Sequence, residues 1–302
     1  MSFPGSNPTN PLEGLPRLDP LPDDIDIFTL YRQVFCTGSK IVTADTTSSV
    51  NWWYHGFVTI QGHGAPPLLM LEAHNLVSCR LRDKDNADEL KIDWVMLVQF
   101  DDLYSGGPST SIHNPLTGHT AETPSPFFHP PGTFIVNRKS NSELALLIER
   151  PGIPSYQGEI IAGLLRNDHR RVCLIQTQPQ EPNNKNGTDA YTQLTLMLTV
   201  DLSEARGGNQ SAGPARSLPG RGVFWGFQHG PLNTLFGFDE GIHGDFHTQG
   251  KLVKGDHDEA VVPGLWARYK KDFPEFFDGA GALSPDWDGL FSGRLRGDEL
   301  TA

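Results

Sequence analysis

Two histidines in a glycine-rich stretch offer the first candidate chemistry. His243 and His247 stand four residues apart, with Asp245 between them and with Gly241 and Gly244 alongside. In a loop or a strand, this pair with a distant His or Glu could complete the 2-His-1-carboxylate ligand set of non-haem iron oxygenases. The glycines predict a loop and disfavour the helix that would aim both rings at one ion. A metal-dependent oxygenase built on His243 and His247 is therefore one function that the sequence allows.

A second set of ionisable side chains lies nearer the start of the chain. His55, His74, Glu72 and Asp93 fall on or beside three consecutive predicted strands. A neutral imidazole beside a carboxylate can act as a general acid or base near pH 7. We therefore name His55, His74 and Tyr54 as candidate catalytic residues. The register between these strands is not fixed by the sequence, so a set of polar groups at the rim and surface is the alternative.

The position of these side chains depends on an aromatic strand, residues 50–60. Successive residues of a strand face opposite sides, so Trp52 and Tyr54 share an apolar face, while Trp53, His55 and Phe57 share a mixed aromatic and polar face. Such a mixed face is typical of a pocket wall, unless both tryptophans are core of a packed sheet. A second wall is predicted on residues 191–200. The candidate substrate-binding residues are Trp53, Phe57, Glu72, Trp94, Gln193 and Met197.

Charge and missing motifs exclude several classes of function. The 302 residues include 24 Lys and Arg against 36 Asp and Glu, a formal net charge of −12 that disfavours binding to nucleic acid and to anionic membranes. The sequence has no G-x-G-x-x-G after a strand, no Walker loop, no G-x-S-x-G elbow and no H-E-x-x-H helix. Dinucleotide, nucleotide and serine-hydrolase functions are therefore disfavoured, and we predict no cofactor and no bound metal.

Cysteine usage and hydropathy bear on the compartment. Cys36, Cys79 and Cys173 stand far apart without a C-x-x-C pair, which indicates reduced thiols. The sequence has no apolar run of ~18 residues, and residues 1–24 lack the apolar middle region of a signal peptide. We therefore predict a cytoplasmic protein, secreted only if a leader has been removed, with a homodimer as an open alternative.

Strands dominate the predicted elements. Alternation is clearest in residues 90–101, and the 32 glycines and 24 prolines indicate many turns. Helices are predicted at residues 23–36 and from Pro263, both packed outside the sheet, and residues 207–222 have a linker-like composition. The predicted organisation is an extended arm at residues 1–24, a single barrel domain at 25–277 and a tail at 278–302.

Four short motifs follow one another in the order and spacing of a known family. They are Trp52-Trp53-Tyr54-His55-Gly56, Glu72-Ala73-His74-Asn75, Asn114-Pro115-Leu116-Thr117-Gly118, and Val262-Pro263-Gly264-Leu265 running into Lys271-Asp272-Phe273-Pro274-Glu275-Phe276. In these motifs the chain resembles the domain-of-unknown-function 1838 family. It resembles a divergent member, because Ala73 replaces a glycine and residues 179–222 have no clear counterpart. The resemblance implies an antiparallel, barrel-like β architecture, and it implies no catalytic residues.

These observations predict an all-β protein, a mostly antiparallel β-barrel of about eight to ten strands, calycin- or lipocalin-like, with a few peripheral helices. An aromatic pocket with few ionisable groups suits an apolar or aromatic small molecule. The predicted function is a cofactor-independent enzyme of secondary metabolism, a cyclase, lyase or isomerase, with cycloaddition among its candidate reactions. A non-catalytic carrier and the His243 and His247 oxygenase are the alternatives.

Overall fold

Strands form nearly all of the regular structure. The computed structural model describes residues 17–36, 49–62, 68–81, 88–109, 111–113, 118, 120–122, 127–150, 153–180, 191–209, 218–231, 243–254, 267 and 271. The strands are β1 Leu18–Asp19, β2 Ser49–Gly62, β3 Leu68–Leu81, β4 Glu89–Asp101, β5 Ser111–His113, β6 Thr120–Glu122, β7 Phe127–Arg138, β8 Glu143–Arg150, β9 Ile153–Leu165, β10 Asp168–Gln180, β11 Tyr191–Asp201, β12 Arg221–Pro231 and β13 His243–Lys254. The α-helices are α1 Ile27–Tyr31 and α2 Leu202–Asn209.

Ten of these strands close into an antiparallel β-barrel. Their hydrogen-bonded order is β9, β10, β11, β12, β13, β2, β3, β4, β7 and β8, and β8 pairs back with β9. Strand β1 pairs with the end of β9, and β5 and β6 form a separate hairpin. The predicted all-β class and barrel architecture are therefore confirmed.

The hydrophobic core fills the inside of the barrel. Because directly paired residues of antiparallel strands share a face, one alternating set from every strand points inward. Buried members of this inner set include Trp52, Tyr54, Trp94, Phe134, Leu146, Ile160, Leu174, Leu198, Phe224 and Leu252. The opposite set includes the exposed Glu159, Gln249 and Lys251. The part of the interior that the structure describes is therefore packed with side chains, and the ligand cavity stays a prediction.

The N-terminal helical segment belongs to this interior. Helix α1 begins after Asp26, whose carboxylate accepts a hydrogen bond from the Thr29 amide, and it continues into a π-helical turn, Arg32–Cys36. Three hydrogen bonds join this segment to inward side chains of three strands. Trp52 Nε1 donates to Phe35 O at 3.1 Å, and Lys254 Nζ donates to Gln33 O at 2.9 Å. Tyr31 Oη donates to Gln176 Oε1 at 2.9 Å. The prediction that this helix packs outside the barrel is therefore wrong.

The predicted C-terminal helix and the predicted linker are described only in part. Of the helix predicted from Pro263, only Ala267 and Lys271 are described, and both are helical. The linker-like stretch at residues 207–222 overlaps the end of α2 and the start of β12, and residues 218–220 are described without helix or strand, whereas residues 210–217 lie outside the described part of the chain. Among the described residues, no helix is long and apolar enough to cross a membrane.

Candidate functional site

Three neighbouring strands bring four ionisable side chains together on the outer face of the barrel. In the register of β2, β3 and β4, His55 lies opposite His74, and Glu72 lies opposite Asp101. Directly paired residues share a face with Cβ atoms ~4.5–5.5 Å apart, so all four side chains point the same way. We call His55, Glu72, His74 and Asp101 the imidazole–carboxylate cluster.

The cluster is in close contact across the strands. His55 Nε2 is hydrogen-bonded to Glu72 Oε1. His74 Nε2 lies 3.7 Å from the same Glu72 oxygen and 3.3 Å from Asp101 Oδ2. The two imidazole rings are stacked, with centroids 4.6 Å apart and planes 3° from parallel. The two carboxylates therefore hold both rings on one side.

Burial divides the cluster into an inner and an accessible half. The side chains of His74 and Asp101 are 2% and 8% exposed, whereas those of His55 and Glu72 are 32% and 26% exposed. Behind the buried half, the Gln99 amide donates a hydrogen bond to Asp101 Oδ1. An incoming molecule can therefore reach the cluster from the side of His55 and Glu72.

Aromatic side chains flank the cluster on the same face. The Trp53 ring is tilted against His74, with centroids 5.7 Å apart, and Phe57 lies 6.0 Å from the His55 ring. Trp53 is only 1% exposed, whereas Phe57 is 40% exposed. Trp53 can thus support the buried imidazole, and its role as a wall in contact with substrate stays a prediction. Phe57 presents an open aromatic surface.

Two of the predicted site residues face the barrel core instead. Tyr54 packs edge-on against Phe224 at 5.3 Å, and burial, with a smaller contribution from Cys79, raises the pKa of its phenol. Trp94 stacks on Phe134 at 5.4 Å. Because both belong to the inner set, the sheet separates them from His55 and His74, and the structure does not bring them together with these histidines.

The second predicted pocket wall is also separate from the cluster. Met197 lies on β11, three strands from His55, which corresponds to about 14 Å at ~4.8 Å per strand. Gln193 is described only as a backbone position of β11, opposite Phe227. Asp93 lies at the far end of β4 and accepts a hydrogen bond from Thr133 Oγ1 at 3.0 Å. The register therefore replaces Asp93 with Asp101, a residue that the sequence analysis missed.

The predicted histidine loop is part of a strand. His243 and His247 both lie in β13, so four extended residues of ~3.3 Å each separate them by about 13 Å. The extended geometry holds the two residues well apart along the strand, and the oxygenase alternative built on them stays untested. Three other residues have the same chemistry: a ligand atom from each of His55, Glu72 and His74 lies within 4.8 Å of the other two.

The comparisons with known proteins give no family. No protein-family model matches the chain, and no curated protein matches it. The resemblance to the domain-of-unknown-function 1838 family therefore stays a prediction. Among solved structures, the chain is similar to OpdK of Pseudomonas aeruginosa, solved with vanillate, at a TM-score of 0.20 and 7% identity, over 68% of this chain and 67% of OpdK. A likeness at this TM-score carries no argument.

Proposed function

We propose that the protein is an enzyme that converts an apolar or aromatic small molecule at the imidazole–carboxylate cluster, by lyase, isomerase or cyclase chemistry. The observation that supports this proposal is the accessible His55 ring, which is fixed on one edge by Glu72 and stacked on His74. A carboxylate that orients an imidazole is a recurring arrangement in acid–base catalysis.

The geometry leaves one nitrogen of His55 for a substrate. Nε2 is engaged by Glu72, and among the described residues Nδ1 has no hydrogen-bond partner. An imidazole held in this way can polarise a substrate carbonyl or exchange a proton with the substrate, which typically contributes 10²–10⁴-fold to a rate. His74 and Asp101 act as positioning residues, because they are buried behind the ring that meets the substrate.

The accessible side of the cluster indicates the substrate class. Across the sheet from His55, the paired positions are Lys251 on β13 and then Val223 on β12. Across from Phe57 they are Gln249 on β13 and then Trp225 on β12. Phe57 and Val223, at 40% and 39% exposure, are two of the three large hydrophobic residues that the described chain exposes. An apolar or ring-bearing substrate would cover this surface while its polar atom meets His55.

The proposal is tested with the ligand that the protein itself selects. Small molecules that co-purify with the full chain are identified by mass spectrometry, soaked into crystals and assayed for conversion. We expect density beside His55 and Phe57, and a loss of turnover of about 10²-fold or more in His55→Ala with binding retained. The matched control is His169→Ala, because His169 is also paired with a carboxylate, at 2.6 Å from Asp19.

Three results would contradict the proposal. Ligand density away from the cluster would move the site elsewhere. Equal turnover in His55→Ala and His169→Ala would remove His55 from the chemistry. A ligand bound beside Phe57 but recovered unchanged from the wild-type protein would identify a carrier.

A further inference from the structure

The distances within the imidazole–carboxylate cluster are only partly those of a hydrogen-bonded network. His55 and Glu72 make a direct hydrogen bond, but His74 Nε2 lies 3.3 Å and 3.7 Å from its two carboxylate oxygens. Good N–H···O bonds span ~2.7–3.2 Å, so both distances are long. His74 Nδ1 is also buried without a hydrogen-bond partner among the described residues. Hydrogen bonding therefore leaves the most buried ring of the cluster poorly satisfied.

The same distances suit donors that share a metal ion. Tetrahedral zinc binds imidazole nitrogen and carboxylate oxygen at ~2.0–2.2 Å, which places neighbouring donor atoms about 3.3 Å apart. The spacings around His74 Nε2 are of this size, and the ligand atoms of His55, Glu72 and His74 all lie within 4.8 Å of one another. Small side-chain rotations of His55 and Glu72, the accessible pair, would widen their direct contact.

We propose that the cluster binds one divalent transition-metal ion through His55 Nε2, His74 Nε2 and the Glu72 carboxylate, with Asp101 as a fourth ligand or as a partner that orients the others. This proposal adds a metal ion to the proposed function. It rests on that function only in assuming that the reaction takes place at the cluster. In the metal-bound protein these residues would hold the ion, and the ion would supply the Lewis acidity that polarises a substrate oxygen.

The charge and the scaffold of the cluster both favour such an ion. Two carboxylates carry a charge of −2 when ionised, and the Asp101 side chain is only 8% exposed, so water screens little of the charge within the cluster. A divalent cation balances that charge. The ligands project from β2, β3 and β4, three strands held by backbone pairing, so the donors are already brought together before the ion arrives.

The donor types restrict which metals fit. Imidazole with carboxylate suits zinc, iron, nickel and copper, whereas calcium and magnesium prefer shells made of oxygen alone. Since His55 and Glu72 are the more exposed ligands, the open coordination positions face the solvent and the surface of Phe57. An ion in this position can bind water or a polar atom of the substrate.

The test measures metal binding directly and needs no substrate. The full chain, stripped with a chelator, is titrated with Zn²⁺ by calorimetry and with Co²⁺ by visible absorption. We expect one equivalent of Zn²⁺ per chain, with affinity lowered at least 100-fold in His55→Ala and at least tenfold in Glu72→Gln. Both residues are partly exposed, so both variants should fold. His169→Ala, which removes an imidazole from a pair with a single carboxylate, should bind Zn²⁺ as the wild type does.

Unchanged Zn²⁺ affinity in His55→Ala and Glu72→Gln would overturn the inference, as would less than one equivalent bound by the wild type. The two proposals fail separately. A protein that binds no Zn²⁺ but still needs His55 for turnover keeps the proposed function and loses the metal. A protein that binds Zn²⁺ at the cluster but leaves every ligand unchanged keeps the metal and loses the enzyme.

Discussion

Replacing Trp52 with Phe tests whether the barrel interior is the core. Trp52 is fully buried, its ring stacks on Phe35 at 5.3 Å, and its Nε1 donates a hydrogen bond to the Phe35 carbonyl at 3.1 Å. The backbone of Gly220 packs against the six-membered ring of the indole, where an added Cβ would lie 2.4 Å from a ring atom. Phenylalanine can keep the stack but loses the N–H donor and part of the ring.

The cost of this change can be estimated from the contacts that are lost. A buried carbonyl left without its donor costs about 1–3 kcal/mol. The missing part of the indole leaves a void at a tightly packed position, and full truncation of a buried Trp to Ala costs about 3–5 kcal/mol. We therefore expect Trp52→Phe to lower the free energy of unfolding by about 2–4 kcal/mol. Zn²⁺ affinity should be unchanged, because the imidazole–carboxylate cluster lies on the opposite face of β2.

Urea unfolding followed by far-ultraviolet circular dichroism measures this free energy. Trp225→Phe is the matched control, because Trp225 is half-buried on the outer face and should lose about 1 kcal/mol or less. If Trp52→Phe cost no more than Trp225→Phe, the N-terminal helical segment would not be anchored through the inner face. The barrel interior would then again be a candidate ligand cavity.

Two further perturbations test the frame around the core and the cluster. Burial alone would raise the pKa of Asp26, but hydrogen bonds from Arg138 and Thr29 together hold that pKa below its usual value. The resulting stabilisation is complete above about pH 4 and is lost as the pH falls through the lowered pKa. The free energy of unfolding in urea should therefore fall less between neutral and acidic pH for Asp26→Asn than for the wild type. An equal fall in both proteins would contradict this. In Gly250→Ala the new Cβ would lie 2.1 Å from the backbone oxygen of His55. We therefore expect the free energy of unfolding in urea to fall by about 1–3 kcal/mol or more, and Zn²⁺ to bind more weakly. The control Gly107→Ala, whose Cβ meets nothing closer than 3.9 Å, should change neither quantity.

The alternation of residues along the strands predicted which side chains share a face of the sheet. The pattern of residues 50–60 placed Trp52 and Tyr54 on one face and Trp53, His55 and Phe57 on the other, and the register of β2 with β3 confirms this division. The period of two is a local property of an extended chain, so it can be read from one segment. The barrel class follows from the same repeated signal.

The direction of each face could not be predicted from alternation. Both faces of β2 carry large aromatic rings, and both Trp52 and Trp53 are buried. Which face points inward depends on the closure of the sheet and on the N-terminal helical segment that packs inside the barrel. Both involve residues far apart in the sequence. The sequence analysis therefore gave the two faces of β2 without deciding which of them points into the barrel, and the structure has Trp52 and Tyr54 on the inner face, packed with Phe35 and its neighbours.

Glycine misled the prediction for β13. Gly244 suggested a loop around His243 and His247, yet it pairs with Gly230 on one side and Gly62 on the other, and Gly250 pairs with Gly56. At the Gly250–Gly56 pair a Cβ on either residue would lie within 2.2 Å of a neighbouring backbone atom, so the strands approach closely because side chains are absent. A glycine that permits close packing and one that permits a turn look alike in the sequence.

The arrangement separates stability from chemistry within single strands. On β2, the inward Trp52 and Tyr54 belong to the hydrophobic core, while the outward His55 and Phe57 are partly exposed. Because the two sets alternate, a change to the cluster leaves the inner packing in place, and a change to the core does not remove a ligand atom. The accessible members of the cluster are therefore the positions where function can be altered without unfolding the barrel, and this is why His55 and Glu72, rather than the buried His74, are the decisive variants for both proposals.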